Sequence, residues 1–468
     1  MARCWNAGSR SAASLVLLLS EAAAGELPRP ATTEALPPAI YAGRRARLLE
    51  ALGPEATVVV FTAPVHARNH DVDHTFRPAS DFWYLTGFSE PGAALVLERR
   101  AGAPNATLFV PPVDPGDALW NGPRLGVDGA AGLADEVHSN AHLKSGLAEL
   151  LRSAKTLCVL DGGDRAARAL LDEAKPAGVA AESGELKAAV GRLRLIKDEH
   201  ELALLQRAVD ISCAGHVAAM RHTAPGQREY EVEAVIEATF ATLGARRTGY
   251  DSIVGAGANS CVLHYDRNDA VIPPRATLVV DVGAEYGMYT ADITRTLPTD
   301  GTFTAEQRVI YAAVLAAQEA AIAEVTPGST LGAVNRAARR VLTDALVQGG
   351  VAGSAQLALG LQPHGVSHWL GLDVHDDSPY GAADGRGELR LEPGMVLTVE
   401  PGCYVTPGAE GIDPRWHGVG VRIEDDVLVT SAGNVVLSAA LPKRIEEVEA
   451  VMAEASLYPS RAELEPRR

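Results

Sequence analysis

The chain is 468 residues long and carries a formal net charge of -17 at pH 7. That balance excludes a nucleic-acid binder, because phosphate recognition needs clustered Lys and Arg, and it suits a soluble protein that tolerates cations. With 47% hydrophobic and 22% charged residues the composition is that of a globular protein with room for about two or three domains.

No apolar run reaches the roughly 18 residues of a membrane span. The cysteines (Cys4, Cys158, Cys213, Cys261 and Cys403) are scattered, with no Cys-x-x-Cys pair, so neither a disulfide framework nor a zinc–thiolate site is expected. Arg3 and Arg10 precede an apolar run, Ala12 to Leu19, and then Ala22-Ala23-Ala24. This has the outline of a leader with a cleavage site, which implies an exported or periplasmic protein; the short run and Glu21 support the other reading of residues 1–36, a disordered extension on a cytoplasmic protein. Pro28, Pro30, Pro37 and Pro38 mark a linker.

Residues 37–190 alternate strands and helices, the pattern of an α/β layer. Ala42 to Leu52 and Leu143 to Arg152 are expected to be helical, and Ala56 to Phe61, Ala93 to Leu97, Ala106 to Val110 and Cys158 to Leu160 extended. Between them Phe76 to Phe88 forms a dense aromatic patch (Phe76, Phe82, Trp83, Tyr84, Phe88), either a core cluster under a loop or a wall facing a neighbouring site or subunit.

Residues 191–452 form a second domain. A long helix starts near Arg194, with Asp198-x-x-Glu201 as a capping box, and ends at Thr223-Ala-Pro225-Gly226; another runs from Glu229 to Leu243. Thr304-x-x-Gln307 opens a second such pair, broken at Pro327-Gly328. Asp281 stands seven positions after Pro274 and Glu400 seven after Pro393, each closing a β run. The recurrence of helix, turn, helix, strand and carboxylate reads as an internal duplication whose halves bring Glu400 towards Asp281. Residues 453–468 are a tail.

The chemistry starts in Thr277 to Thr296, two β-rich runs around Tyr286-Gly287. A two-residue turn there sets Asp281 opposite Asp292, and like charges so paired require a cation between them. The bland alternative is a pair of ordinary strand-end aspartates. Further on, Gly420 to Thr430 reads as one strand with Arg422 and Glu424 on one face. They are either a solvated ion pair or, given Val421, Ile423 and Val427, buried acid and partner. His364, His368 and His375 cluster within twelve positions, with His264 earlier. An oxygen-rich set with imidazole suits Mn²⁺ or Co²⁺ better than structural zinc, and two such ions would share and acidify a water or hydroxide.

The segments His364-Gly-Val-Ser-His-Trp-Leu-Gly-Leu-Asp-Val-His-Asp376, Thr398-Val-Glu-Pro-Gly402, Val421-Arg-Ile-Glu-Asp-Asp426 and Phe76 to Phe88 closely resemble the aminopeptidase P family of pita-bread metallopeptidases. The resemblance covers about Ile40 to Val451. It implies an α/β (α+β) architecture: a creatinase/prolidase-like N-terminal α/β domain followed by a pita-bread catalytic domain with pseudo-two-fold duplication. It implies cleavage of the bond between an N-terminal residue and proline, a homo-oligomer (dimer or tetramer), and two divalent ions, Mn²⁺ first, Co²⁺ or Zn²⁺ as alternatives. By the same resemblance Asp281, Asp292, His368, Glu400 and Glu424 are the metal ligands, one of the glutamates also handling the proton. His264 and His375 would stabilise the oxyanion and the proline-side carbonyl, His364 would shape the cleft, and Arg422 would orient a carboxylate. Asp377 departs from the aliphatic residue expected there, and the first 35 or so positions have no counterpart. Prolidase, confined to dipeptides, shares every ligand; creatinase lacks the metal set, methionine aminopeptidase lacks the N-terminal domain, and an inactive binding relative would have lost a ligand.

Overall fold

The computed structural model describes residues 36–382 and 387–464; the leader or extension expected over residues 1–36 lies outside them but for Leu36. The chain divides into two compact units at Leu195/Ile196.

In the first unit, helix α1 (Pro38–Leu52), strand β1 (Ala56–Phe61), helix α2 (Ser80–Thr86) and strands β2 (Ala94–Arg100) and β3 (Ala103–Val110) are followed by β4 (Glu136–Ser139), α3 (Leu143–Leu150), β5 (Thr156–Leu160), α4 (Arg165–Ala174), β6 (Ala181–Glu182) and α5 (Gly184–Leu195). The six strands form one mixed sheet in the order β4-β3-β2-β1-β5-β6. β1 pairs antiparallel with β2 and parallel with β5. All six residues of β1 are buried, as a strand covered on both faces must be. Alternation sends Val59 and Phe61 to the core that Leu147, Leu151, Ala167 and Leu171 complete.

The aromatic patch is core. Phe82, Trp83, Tyr84 and Phe88 are buried, Tyr41 meets Trp83 edge-on at 5.8 Å, and the guanidinium of Arg44 lies 4.0 Å from the Tyr84 ring. A desolvated stack of that kind contributes about 2 kcal/mol.

The second unit opens at Asp198, whose side chain and that of Glu201 close the predicted capping box of α6 (Glu199–His222). The single helical segment expected from Arg194 is in fact two helices, because Asp198 is extended (ψ 174°) and starts α6 afresh. Helix α7 (Glu229–Thr242) packs closely against α6: a Cβ on Gly215 would sit 2.4 Å from the Phe240 ring. The second helix pair is α8 (Ala305–Glu324), capped by Thr304 and Gln307 as predicted, and α9 (Leu331–Gln348).

Their strands are β7 (Arg247–Thr248), β8 (Ile253–Ala256), β9 (Thr277–Val282), β10 (Ala284–Tyr286), β11 (Tyr289–Thr290), β12 (Ile293–Pro298), β13 (Val396–Val399), β14 (Gly402–Val405), β15 (Val419–Arg422), β16 (Asp425–Thr430) and β17 (Gly433–Val436). They form four small sheets: β8-β9-β12, β11-β10-β7, β13-β16-β17 and β14-β15.

Two sequence expectations are corrected here. The ribbon turns on Gly287-Met288, not Tyr286-Gly287, since Tyr286 pairs with Tyr289. Both turn residues have positive φ (56° and 73°), the conformation that matches strand twist. The register therefore slips by two and Asp281 faces Thr294 instead of Asp292; an even slip keeps both aspartates on one face. Second, the run Gly420 to Thr430 is two strands, broken at Ile423-Glu424, with β15 pairing to β14 and β16 to β13.

Candidate metal centre

β9 carries Asp281, and the residue just before β12 is Asp292; both lie in a buried pocket (8% and 5% exposed). Tyr250, from the loop before β8, lies between them with its hydroxyl 2.6 Å from Asp281 Oδ1 and 2.7 Å from Asp292 Oδ1. A hydroxyl has one proton to share, so it holds the two carboxylates together without neutralising either.

The histidine segment is extended and lies along β13: Thr398 N donates to His368 O at 3.0 Å and Glu400 N to Val366 O at 2.9 Å. His364 lies at a bend just before this paired stretch and His368 within it. They bracket the carboxylate of Glu400, with His368 Nε2 3.6 Å from Oε1 and His364 Nδ1 3.5 Å from Oε2. His368 Nε2 also lies 3.2 Å from Asp292 Oδ2. Glu424, at the break between β15 and β16, accepts from Thr294 Oγ1 at 2.7 Å. Donor atoms of Asp292, His368 and Glu424 all lie within 4.8 Å of one another.

Arg422 is buried and donates through Nη2 to Asp281 Oδ2 at 2.6 Å, through Nε to Thr294 Oγ1 at 3.1 Å and through Nη1 to Tyr404 OH at 2.8 Å. Tyr404 OH in turn lies 2.8 Å from His364 Nε2. Burial pushes the His364 imidazole down to about 4, so it is neutral: Nδ1 donates to Gly365 O and Nε2 accepts from Tyr404. His375 and His264 are exposed at the rim. The His375 ring stands 4.2 Å from that of His368; burial first, then the charge of His368 and of His264, lowers its pKa. Arg422 also reaches Leu263 O, beside His264, at 3.5 Å.

The nine residues singled out from the sequence thus lie in or around one pocket. Sequence reasoning missed Tyr250, Thr294 and Tyr404, which sit in no motif that marks a ligand. It also missed Asp426, whose Oδ2 accepts Asp292 N–H at 3.1 Å.

The electrostatics test whether cations fit. Asp281, Asp292, Glu400 and Glu424 converge, and one guanidinium, Arg422, compensates only one of them. Burial, followed by the charges of Asp292 and Glu400, drives Glu424 well above the usual carboxylate range. Burial foremost, joined by Asp292, holds Glu400 up to about 8, against the opposing pull of His368. For His368, burial favours the neutral ring, but the hydrogen bond and charge of Asp292 and the charge of Glu400 outweigh it and raise it to about 9. Such a cluster of acids with one imidazole is a donor set for hard or borderline divalent cations.

A pH dependence follows. An acid raised on folding binds its proton more tightly in the native state, so Glu400 weakens the fold as pH climbs from its unfolded value near ~4.3 to about 8. His368 contributes stability that is complete below its unfolded pKa of ~6.5 and is lost as pH rises through about 9. Both act in one direction. Protein stripped of divalent ions with a chelator should lose thermal stability between about pH 6.5 and 9, and added Mn²⁺ should raise Tm most at the alkaline end. A Tm gain independent of pH would contradict this electrostatic picture.

Residues 203–431 match metallopeptidase family M24, and residues 41–159 match the aminopeptidase P N-terminal domain. The Xaa-Pro aminopeptidase of Haemophilus influenzae is 38% identical over 426 residues, which span 89% of this chain and 98% of that protein. The chain belongs to metallopeptidase family M24.

Another relative of this M24 chain is the mitochondrial intermediate cleaving peptidase 55 of Arabidopsis thaliana, 33% identical over 416 residues, or 88% of this chain and 82% of that protein. Among solved structures, proline aminopeptidase P II from Yersinia pestis superposes with a TM-score of 0.84 at 35% identity, covering 89% of this chain and 100% of that one. The M24 chain is accordingly a hydrolase with the two-part, mixed α/β plan of aminopeptidase P. No helix among its described residues is long and apolar enough to cross a membrane.

Proposed function

We propose that this M24 enzyme removes the N-terminal residue from peptides with proline in second position, using two divalent ions, Mn²⁺ first among them, held by Asp281, Asp292, His368, Glu400 and Glu424. The observation that carries the reading is the meeting of four carboxylates with His368 in one pocket, in a chain that closely matches Xaa-Pro aminopeptidases over most of its length. When bound, the ions supply an acidified water and polarise the scissile carbonyl.

The chain's own groups do the remainder. Asp292 faces both halves of the donor set, Oδ1 towards Tyr250 and Asp281 and Oδ2 towards His368. Glu400 takes a proton from the attacking water and returns it to the proline nitrogen; in support, burial raises its affinity for protons and two imidazoles flank its oxygens. His264 and His375 hydrogen-bond the developing oxyanion and the carbonyl on the proline side. Arg422 fixes Asp281, and through Tyr404 it fixes the ring of His364, which lines the cleft. His264→Ala should keep both ions and lower turnover about a hundredfold, the cost of one lost oxyanion donor; collapse of metal content instead would make His264 a ligand.

Three peptides test the substrate class. Arg-Pro-Pro should release free arginine. Activity confined to the dipeptide Arg-Pro would make the protein a prolidase, and equal turnover of Arg-Ala-Pro would remove the proline requirement altogether.

A further inference from the structure

The two aspartates stand on a ribbon that leaves its ladder between them. Val282 still pairs with Ile293 and Ala284 is the next residue paired in the neighbouring sheet, so the break falls at Gly283 and Asp292. Ala291 N donates across the ribbon to Ala284 O at 3.2 Å. The return bond is not made: Ala284 N donates instead to Ser212 Oγ on α6 at 2.9 Å. One helical turn along, His216 Nε2 lies 2.9 Å from Ile293 O. Gly283 O accepts from Gly249 N at 2.8 Å, and Asp292 N goes to Asp426. The strands are pressed so close at the break that a Cβ on Gly283 would lie 1.8 Å from Ala291 O.

Ser212 and His216 are 0% and 1% exposed and, four residues apart, form one row on the helix. The Ser212 proton is already given to Ala208 O at 2.8 Å, so its oxygen is free only to accept. Burial first, and then the charge of Arg295, pushes His216 down to about 3, which leaves a neutral ring whose Nε2–H is a fixed donor.

We propose that Ser212 and His216 are positioning residues for the metal pair: from α6 they clamp the break in the ribbon and so set the separation of the Asp281 and Asp292 carboxylates. The ladder cannot set it, because it ends at Val282 and Ile293 and leaves Asp292 one residue outside. Freed of the clamp, Ala284 N–H can return to Ala291 O, and the chain straightens through Asp292. Neither residue touches a donor atom, so the effect passes through the main chain.

The inference rests on the two-ion reading above, and full-length protein stripped with a chelator tests both. Mn²⁺ binding is measured calorimetrically and ligand geometry by the visible spectrum with Co²⁺ bound. His216→Leu, which fills the space without donating, and Ser212→Ala should each weaken Mn²⁺ binding by about tenfold or more and change the Co²⁺ spectrum, as loss of groups behind metal ligands does. His216→Gln, which can still donate to Ile293 O, should recover most of both. A purely structural role would lower Tm while leaving Mn²⁺ affinity and the Co²⁺ spectrum of the folded variants unchanged, and that result overturns the clamp. If His216→Leu does not fold, Ser212→Ala decides on the same readouts. Wild-type protein that binds no second ion would sink the two-ion reading itself, a result distinguishable from unchanged variants.

Discussion

Asp292→Asn is expected to empty the metal centre and abolish turnover together. The two oxygens of Asp292 face different partners, Tyr250 with Asp281 on one side and His368 on the other. An amide offers one oxygen and turns an NH₂ towards the second partner, and it removes a negative charge from a pocket whose acids attract the cations. A shared ligand lost in this way fails for both ions. If the metals contribute about 4 kcal/mol to transition-state stabilisation, turnover falls at least about a thousandfold. Elemental analysis beside a peptide assay measures both quantities. Normal turnover at normal metal content would remove Asp292 from the centre.

Arg295→Met should produce the largest loss of stability. Arg295 is fully buried, yet all its donors are used: Nε to Pro442 O at 2.9 Å, Nη1 to Thr294 O at 3.0 Å and Glu424 O at 2.6 Å, and Nη2 to Asp425 Oδ1 at 2.7 Å and Leu441 O at 3.2 Å. Asp425 also accepts from Lys443 at 2.6 Å, Gln318 at 2.8 Å and Ser438 at 2.7 Å. The guanidinium therefore ties together the main chain beside two residues of the metal pocket. Methionine fills much of the volume but takes a donor from four carbonyls, of which Thr294 O keeps Glu424 N–H, and orphans half of an ion pair. Breaking a buried pair from one side costs about 3–5 kcal/mol, roughly 10 °C in Tm for a unit of this size.

The effect should shrink in acid. Burial alone would raise Asp425, but Arg295 and then Lys443 hold it far below the ordinary carboxylate range. Its contribution is therefore present above the unfolded value near ~3.9 and is lost as pH falls below it. Equal unfolding temperatures for variant and wild type at neutral pH would show that Lys443 alone suffices.

Much of the local structure was legible because it is local chemistry. Asp198/Glu201 and Thr304/Gln307 announce capping boxes by spacing alone, and β1 is visible through the β-branched run Thr57 to Val60. The ribbon was misread by one position at its turn. Met288 at φ 73° is a residue that rarely adopts such a conformation, so no turn signal marks it. The strand through Ile423-Glu424 was misread for a related reason: two sheets compete for its two ends, and strand propensity does not say where a run changes partner.

By itself the sequence named the candidate metal donors in their order, the two-part plan and the helix caps, since each depends on residue type or near-neighbour spacing. Only the tertiary structure decided which oxygen of Asp292 faces which partner, that Tyr250 sits between the aspartates, and that α6 holds the break in the ribbon. Those are contacts between residues as far apart as Asp281 and Arg422. They are set by burial and by the need of every enclosed polar group for a partner, and chain order carries neither.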